Sequence, residues 1–317
     1  MTLHQKLLAG LVLLAFVGWL ARPVRWEVDG LSMAPGLLPG DVVQSGWFPL
    51  VDRWRRPRRL ERWTLAAPDG AIAVKRVWGL PGEEVGIVDG DVTVDGEVVV
   101  KPPRVLAEVA LQVAPVSRST TDGDVRFVLP DPVLDDVPFA PDERRVLVPV
   151  VDVGVAAVIE VDTDDGPVSV EIFVASRGVR MHVRKPGRHA VVAGRLDGAF
   201  VAAAWPLEPG AVTGSCLPPG GPDEWSVQSR WNPEEPVTSL AVHVVTPLAR
   251  SKRATIVDGV SWRDVHHLVP ATGTMQWRLN GDEAFVLGDY PGGSRDSRQW
   301  GSVGIEGFRT RLTAPSR

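Results

Sequence analysis

The sequence predicts a mainly β protein built from short strands and frequent turns. Its 317 residues include 32 glycines and 28 prolines, residues that mark turns and interrupt long helices. Valine-rich runs lie between these turn residues, and β-branched side chains favour strands. Hydrophobic residues make up 44% of the chain, which is enough to build the core of one large or two ordinary domains. We therefore expect a folded, β-rich protein.

The N-terminal residues predict a membrane anchor. Fifteen residues without a charge, Leu7 to Ala21, lie between Lys6 and Arg22. Because a helix that spans a bilayer usually needs ~20 residues, flanking residues at the membrane interfaces have to complete the span. A buried helix and a cleaved signal peptide are alternatives, although a cleavage site is poorly formed after this run. We expect residues 1–22 to form one transmembrane helix.

The distribution of strands and turns predicts an inserted domain. Two Asp-Gly turns between valine-rich stretches make residues 85–100 a hairpin-like end to a first compact β unit. Further along the chain, strand-like runs such as 146–161 alternate with turn residues, a pattern typical of β-sandwiches. We therefore divide the chain into an anchor at 1–22, a β domain formed by 23–100 and 251–317, and an inserted β-sandwich-like domain at 101–250.

Charge and cysteine content exclude several classes of function. The formal net charge of −5 gives no general surplus of lysine and arginine for binding nucleic acid. Cys216 is the only cysteine, so neither an intrachain disulfide nor a cysteine zinc cluster can form. Cys216 is also a weak candidate nucleophile, because no histidine lies near it in sequence. The histidines, including the adjacent His266 and His267, lack the spacing of a metal-binding helix.

An arginine-rich run has two open interpretations. Six arginines between residues 53 and 62 are interleaved with Trp54 and followed by Trp63. The run is either a solvated loop or a surface that contacts anionic lipid headgroups, with aromatic side chains entering the membrane interface. Contact with nucleic acid is a third alternative, but it would be unusual beside a membrane anchor.

A serine in the first turn-rich segment has the setting of a nucleophile. Residues 28–41 read Val-Asp-Gly-Leu-Ser-Met-Ala-Pro-Gly-Leu-Leu-Pro-Gly-Asp and place Ser32 beside proline and glycine. A constrained turn of this kind can present the hydroxyl. It can also aim the Ser32 backbone N–H at an oxyanion that develops during acyl transfer.

A lysine in a later strand-like segment has the setting of a general base. Lys75 lies among Ala73, Val74, Val77 and Trp78, in a chain that has 5 lysines against 29 arginines. Because lysine has a reference pKa of ~10.4, it becomes a base near neutral pH only if that pKa falls by several units. Apolar surroundings lower it in this way. A lysine at a strand edge, with its amine reaching water, is the alternative.

A third segment, residues 288–301, offers polar groups that could support such a base. It reads Gly-Asp-Tyr-Pro-Gly-Gly-Ser-Arg-Asp-Ser-Arg-Gln-Trp-Gly and contains Ser294, Asp296 and Arg298. A neutral amine needs a hydrogen-bonding partner to fix its direction, and a carboxylate beside an arginine stays paired. A turn with a solvated ion pair is the alternative.

In order and content, the three segments resemble the motifs of bacterial type I signal peptidases: Ser-Met-x-Pro, Lys-Arg-Val-x-Gly-Leu-Pro-Gly, and Gly-Asp-Asn-x-x-x-Ser-x-Asp-Ser-Arg-x-x-Gly. The resemblance implies that Ser32 is the nucleophile, that Lys75 is the general base and that the Ser32 backbone N–H serves the oxyanion. It also implies that Ser294 orients the Lys75 amine, while Asp296 and Arg298 form a supporting ion pair. It implies no metal and no cofactor.

The function implied by this resemblance is that of a serine endopeptidase that removes signal peptides from exported preproteins. We expect one span in the plasma membrane, a catalytic domain on the extracytoplasmic side, contacts with signal peptides and membrane lipid, no nucleic-acid partner, and a monomer. Three positions depart from the family pattern: Gly36 replaces a threonine, Tyr290 replaces an asparagine, and Gly30 stands where some relatives have a hydroxyl.

Two other functions are compatible with parts of the sequence. A catalytically silent relative could use the inserted β-sandwich as a binding module, and a self-cleaving regulator could share a serine and lysine pair. The intact Ser32, Lys75 and Ser294 disfavour the silent form. The predicted anchor and the 288–301 segment disfavour a soluble regulator.

Overall fold

The computed structural model describes residues 3–20, 22–46, 52, 54–121, 124–140, 144–162, 167–208, 216–232, 235–245, 254–268 and 276–312. Strands dominate these residues, so the predicted mainly β fold class is confirmed. The helices are α1 (Leu3–Leu20), α2 (Pro103–Val109) and α3 (Ser297–Trp300), with a 3₁₀ turn at Ile305–Gly307.

The transmembrane helix predicted at 1–22 is not found. Among the described residues, no helix is both long and apolar enough to cross a membrane. Helix α1 has 18 residues, and at ~1.5 Å per residue these give about 27 Å, less than the ~30 Å hydrocarbon core of a bilayer.

The chain divides into two compact units. Unit 1 comprises Met1–Val88, Val92–Glu97 and Leu268–Arg317, and unit 2 comprises Asp89–Asp91 and Val98–His267. The first seven strands, up to the long segment of unit 2, are β1 (Arg25–Glu27), β2 (Val42–Gln44), β3 (Arg62–Ala66), β4 (Ile72–Gly79), β5 (Glu84–Val88), β6 (Asp91–Val94) and β7 (Glu97–Val98). The strands of unit 2 are β8 (Leu111–Gln112), β9 (Ser117–Thr121), β10 (Asp124–Val128), β11 (Val153–Val161), β12 (Val168–Val174), β13 (Arg177–Val183), β14 (Gly187–Leu196), β15 (Ala199–Pro206), β16 (Val227–Arg230), β17 (Ser239–Val245) and β18 (Ala254–Arg263). The chain then returns to unit 1 with β19 (Gln276–Arg278), β20 (Glu283–Leu287), β21 (Val303–Gly304) and β22 (Phe308–Arg311).

Unit 1 is organised around a five-stranded sheet in the order β21-β20-β4-β3-β22. A smaller sheet runs β19-β5-β6-β7, and β1 pairs with β2. Strand β4 is central, and its partner residue opposite Lys75 is Trp63 of β3. Trp63, Val77 and Phe308 belong to a buried cluster formed by β3, β4, β20, β21 and β22. Burial of this apolar surface fixes the register of the strand that contains Lys75.

A second cluster in unit 1 holds the segment that contains Ser32. Met33 and Leu37, on the turn between β1 and β2, are buried with Val28, Val43 and Leu312. The two side chains of the turn are therefore anchored on the apolar side, and the backbone of the turn is fixed by packing as well as by its own hydrogen bonds.

Unit 2 consists of two antiparallel sheets that share a core. Their strand orders are β13-β12-β17-β10-β9 and β16-β15-β14-β11-β18-β8. Inward-facing residues of both sheets, including Val170 and Ile172 on one and Val155 and Val191 on the other, form one buried cluster. The alternating burial along β12 is the pattern that follows when one face of a strand packs on a second sheet.

Unit 2 extends further along the chain than the insert predicted at 101–250. It continues to His267, because β18 pairs with β11 along its whole length. On the outer face of the same sheet, Leu106 of α2 packs with Trp262 of β18 and Val192 of β14. The last long strand of this sheet therefore lies in residues that the sequence division assigns to the other domain.

Candidate active site

Ser32 lies on the turn between β1 and β2 and is half-buried. The turn is held by backbone hydrogen bonds, from Ala34 N–H to the Leu31 carbonyl and from Leu37 N–H to the Met33 carbonyl, both at 2.9 Å. Burial of Met33, the next residue, holds the backbone beside Ser32, while Ser32 itself keeps access to solvent.

The backbone of Ser32 has one partner from the C-terminal segment. Its carbonyl oxygen accepts a hydrogen bond from the Tyr290 N–H at 3.1 Å. Within the described part of the chain, the Ser32 N–H donates no hydrogen bond. A rigid N–H without an internal acceptor has the property required of an oxyanion donor.

Lys75 lies on β4 with its amine in a dry environment. The side chain is 3% exposed, and Nζ donates a hydrogen bond to Ser294 Oγ at 3.0 Å. Burial lowers the pKa of Lys75 from 10.5 to about 8; the negative charges of Asp296 and Asp289 oppose this effect, and the positive charge of Arg298 adds to it. A substantial fraction of the amine is therefore neutral near pH 8.

The two carboxylates closest to this amine are each bound by an arginine. Asp296 accepts from Arg298 Nε and Nη2, both at 2.9 Å. Asp289 accepts from Arg76 Nε at 2.8 Å and from Arg76 Nη2 at 2.6 Å. All four side chains are buried. Bidentate pairing offsets much of the negative charge of both carboxylates, so burial outweighs their tendency to keep the lysine charged.

Asp296 also shapes the segment that contains Ser294. It accepts a hydrogen bond from Gly288 N–H at 2.9 Å, and it caps α3 in a capping box with Gln299. The capped helix start and the end of β20 are thereby joined through one side chain.

The side chain of Ser294 and the backbone carbonyl of Ser32 both lie close to Gly288. A Cβ atom on Gly288 would lie 2.2 Å from Ser294 Oγ and 2.4 Å from the Ser32 carbonyl oxygen. No side chain fits at such distances, so glycine allows the two serines to approach. The Lys75 amine, bonded to Ser294, is therefore close to the Ser32 turn. No hydrogen bond joins Ser32 Oγ to Lys75 Nζ in the structure, and in free enzymes such bonds are often long and tighten when substrate binds.

Two glycine and tyrosine positions compensate each other in the 288–301 segment. Tyr290, which replaces the asparagine of the family pattern, is buried, and its ring would lie 2.3 Å from a Cβ on Gly293. The larger side chain is accommodated because residue 293 has none. The backbone N–H of Tyr290 still reaches the Ser32 carbonyl.

Three further residues at this site have no role predicted from the sequence. Arg76 and Asp289 form the second buried ion pair, and the Trp300 ring centroid lies 5.7 Å from Lys75 Nζ. All three lie inside the segments that resemble family motifs, directly beside or near assigned residues. Their position in the motifs was the available signal, but their contacts depend on the fold.

The arginine-rich run is partly tied to the protein. Arg59 forms an ion pair with Glu83 at 2.7 Å, and Arg62 is buried in β3. Trp54 is 84% exposed. Arg53, the first arginine of this run, lies outside the described residues, as do residues 47–51.

A cluster of acidic residues in unit 2 was not expected from the sequence. Carboxylate oxygens of Asp91, Asp152 and Asp197 lie within 4.8 Å of one another. Burial and the neighbouring carboxylates Asp152 and Asp197 raise the pKa of Asp91 to about 9. Oxygen ligands of this kind suit a hard cation. The ammonium of Lys101, which is ion-paired with Asp197 and with Asp264, already supplies a positive charge.

Cys216 lacks the environment of a nucleophile. Its Sγ donates to the Ala110 carbonyl at 3.2 Å, and burial raises the pKa of the thiol to about 12. A reactive cysteine needs a lowered pKa. The structure therefore agrees with the low weight that the sequence gives to Cys216.

Comparisons with known proteins point to signal peptidases. Residues 2–125 match the family model described as "Signal peptidase, peptidase S26". Over 79 residues, which are 25% of this chain, the sequence is 30% identical to Signal peptidase I V of Bacillus subtilis (strain 168), and the match covers 46% of that protein. The match thus spans about half the length of this relative. Both findings support the resemblance to type I signal peptidases.

Proposed function

We propose that this chain is a serine endopeptidase that removes signal peptides from exported preproteins, with Ser32 as nucleophile and Lys75 as general base. One observation supports this proposal above all others. The buried amine of Lys75, with a pKa lowered to about 8, donates a hydrogen bond to Ser294 beside the turn that contains Ser32. The match to the signal peptidase family model supports the class of reaction.

In the first step, the neutral Lys75 amine accepts the proton of Ser32 as Oγ attacks the carbonyl carbon of the scissile peptide bond. The π electrons of that carbonyl move to its oxygen, and the oxyanion accepts a hydrogen bond from the Ser32 N–H. Ser294 accepts a hydrogen bond from the amine and so orients it towards the nucleophile.

In the second step, the tetrahedral intermediate collapses and the peptide C–N bond breaks. The Lys75 ammonium donates its proton to the leaving nitrogen, which leaves an ester between Ser32 and the signal peptide. The neutral amine then takes a proton from water as the water attacks this ester. Hydrolysis releases the signal peptide with a free carboxylate and restores the Ser32 hydroxyl.

The substrate and location belong to the same proposal and rest on the family resemblance. Small residues one and three positions before the cut would fit shallow apolar pockets, and the substrate would bind as an added strand. Exported preproteins are met at the extracytoplasmic face of the cell membrane, where we place the reaction. The proposed enzyme acts as a monomer without metal or cofactor.

Cleavage of a preprotein tests the proposal. We expect Ser32→Ala and Lys75→Ala to abolish release of the signal peptide, and Lys75→Arg to fail as well, because a guanidinium does not give up its proton. The exposed residues Ser117 and Lys185 provide matched controls, and their alanine variants should cleave normally. Retained cleavage by Ser32→Ala or Lys75→Ala contradicts the proposed dyad. Absence of cleavage by the unaltered chain favours the silent binding module.

A further inference from the structure

The indole ring of Trp300 lies beside the Lys75 amine. Its centroid lies 5.7 Å from Lys75 Nζ. Trp300 closes helix α3, and its backbone N–H donates to the Asp296 carbonyl at 2.9 Å. The same aspartate that caps the helix therefore also holds the backbone of Trp300.

The ring packs as an apolar surface. Trp300 is half-buried against the cluster that includes Trp63 and Val77. Its Nε1 is buried and has no hydrogen-bond partner among the described residues. No polar contact ties the indole to its position, so its contribution at this site comes from the ring itself.

Trp63, on the neighbouring strand β3, provides a second apolar surface beside Lys75. It is the cross-strand partner of Lys75, and paired residues in antiparallel strands project from the same face of a sheet. Trp63 is fully buried. The base of the Lys75 side chain therefore has an apolar neighbour from β3, while its amine has one from α3.

We infer that Trp300 is a positioning residue that excludes water from the Lys75 amine and holds this amine against Ser294. The inference rests on the proposed role of Lys75 as the general base. It assigns to Trp300 a part in setting the proton affinity of that base, and it assigns to Trp300 no contact with the reacting atoms.

Two effects of the indole on the amine oppose each other. The face of an indole attracts an ammonium and thereby raises the pKa of the amine, whereas exclusion of water lowers it. Burial is the largest cause of the shift at Lys75. The charged groups that face the amine are Asp289 and Asp296, each paired with an arginine, together with Arg298. Loss of the ring would leave these charges in place and admit water, so the pKa of Lys75 should rise.

Direct titration of the amine tests this inference without requiring catalysis. The chain has 5 lysines, so lysine labelled with ¹³C at Cε gives few NMR signals, and the Lys75→Arg variant identifies the relevant one. For Trp300→Ala we expect the pKa of Lys75 to rise by about one unit, which would lower kcat/KM for a preprotein peptide about tenfold at pH 7 because the neutral fraction falls tenfold. The plateau of kcat/KM at high pH should change much less.

Three further variants control the experiment. Trp300→Phe retains a ring and should shift the pKa of Lys75 by less than Trp300→Ala does. Trp300→Leu retains apolar packing, so it replaces the alanine variant if that variant does not fold, and a smaller upward shift is expected. Trp54→Ala removes an exposed indole of the same unit and should leave the pKa of Lys75 as it is.

The two proposals can fail separately. If Trp300→Ala and Trp300→Leu leave the pKa of Lys75 unchanged or lower it, the role of Trp300 is refuted. If the pKa rises as expected but the unaltered protein cleaves no preprotein, the proposed function is refuted while the influence of Trp300 on the amine stands.

Discussion

Two buried lysines in this protein have pKa values that are shifted in opposite directions. Lys75 in unit 1 is 3% exposed and Lys101 in unit 2 is 1% exposed. Burial lowers the pKa of Lys75 to about 8, although the charges of Asp296 and Asp289 act to raise it. Burial also acts to lower the pKa of Lys101, but the carboxylates of Asp197 and Asp264 outweigh it and raise that pKa.

The difference lies in what each amine contacts. Lys75 contacts a hydroxyl, and the nearest carboxylates are bound by Arg76 and Arg298. Lys101 contacts two carboxylates directly. Burial alone therefore does not make a base of a lysine. The nearby acidic groups must also be paired with other cations, and in unit 1 two arginines do this.

The largest expected effect is on stability and separates the two lysines. Lys101→Met leaves Asp197 and Asp264 buried without their cation, so we expect a loss of about 3–5 kcal/mol in unit 2. Lys75→Met removes one hydrogen bond of an amine with a lowered pKa and should cost only about 1 kcal/mol. Hydrogen–deuterium exchange of the amides of β14 and β4, respectively, measures each loss. Equal losses would show that Lys75 is held as an ion pair.

One substitution should make the environment of the Lys75 amine resemble that of Lys101. Ser294→Asp places a carboxylate beside the amine, which should return the pKa of Lys75 towards ~10.4 and reduce kcat/KM at pH 7 about 100-fold. Ser294→Asn has a similar size without the charge and should lose less activity. The pH profile of both variants checks this, and an unchanged acidic limb in Ser294→Asp would contradict the comparison.

A third prediction concerns the dependence of unit 2 on pH. In the unfolded chain Asp91 ionises near its ordinary value of 3.8, whereas in the fold it keeps its proton up to about 9. Between these values unfolding releases a proton, so stability should fall as pH rises, by at most about 1.4 kcal/mol per pH unit for this group. Asp91→Asn should flatten the fall. Exchange rates of β11 amides from pH 5 to 8 provide the measurement, and an equal slope in both proteins would exclude Asp91 as its source.

The smallest expected effect concerns the hydroxyl that orients the base. Ser294→Ala removes the acceptor of the Lys75 hydrogen bond and should cost about 1 kcal/mol, which corresponds to a five- to tenfold loss in kcat/KM. The exposed Ser117 again provides the control. A loss of several orders of magnitude would mean that Ser294 takes part in proton transfer itself.

Much of the fold class could be predicted because it depends on local patterns. Valine-rich runs between glycine and proline turns predict strands, and the structure has them. The apolar segment at the N-terminus was less informative, because length and polarity together decide whether a helix can span, and α1 does not qualify. The extent of unit 2 was also not local, since β18 joins its sheet by pairing with β11, about a hundred residues earlier.

The segments that form the candidate site could be predicted from the sequence. The contacts between their side chains could not. The resemblance of three segments to family motifs singled out Ser32, Lys75 and Ser294. The pairing of Arg76 with Asp289 could not be foreseen, because it joins residues 213 positions apart. The proximity of Trp300 to the amine likewise depends on how α3 packs.

The sequence by itself placed both Lys75 and Lys101 next to apolar residues, and it predicted a dry environment for Lys75, with an amine reaching water as the alternative. Lys101 follows Val99 and Val100 and precedes two prolines, so its local setting looks as dry as that of Lys75. Only the tertiary structure decided that one amine meets a hydroxyl and the other two carboxylates. The physical reason is that electrostatic interactions depend on distance in space, and the charges that matter come from segments far away along the chain.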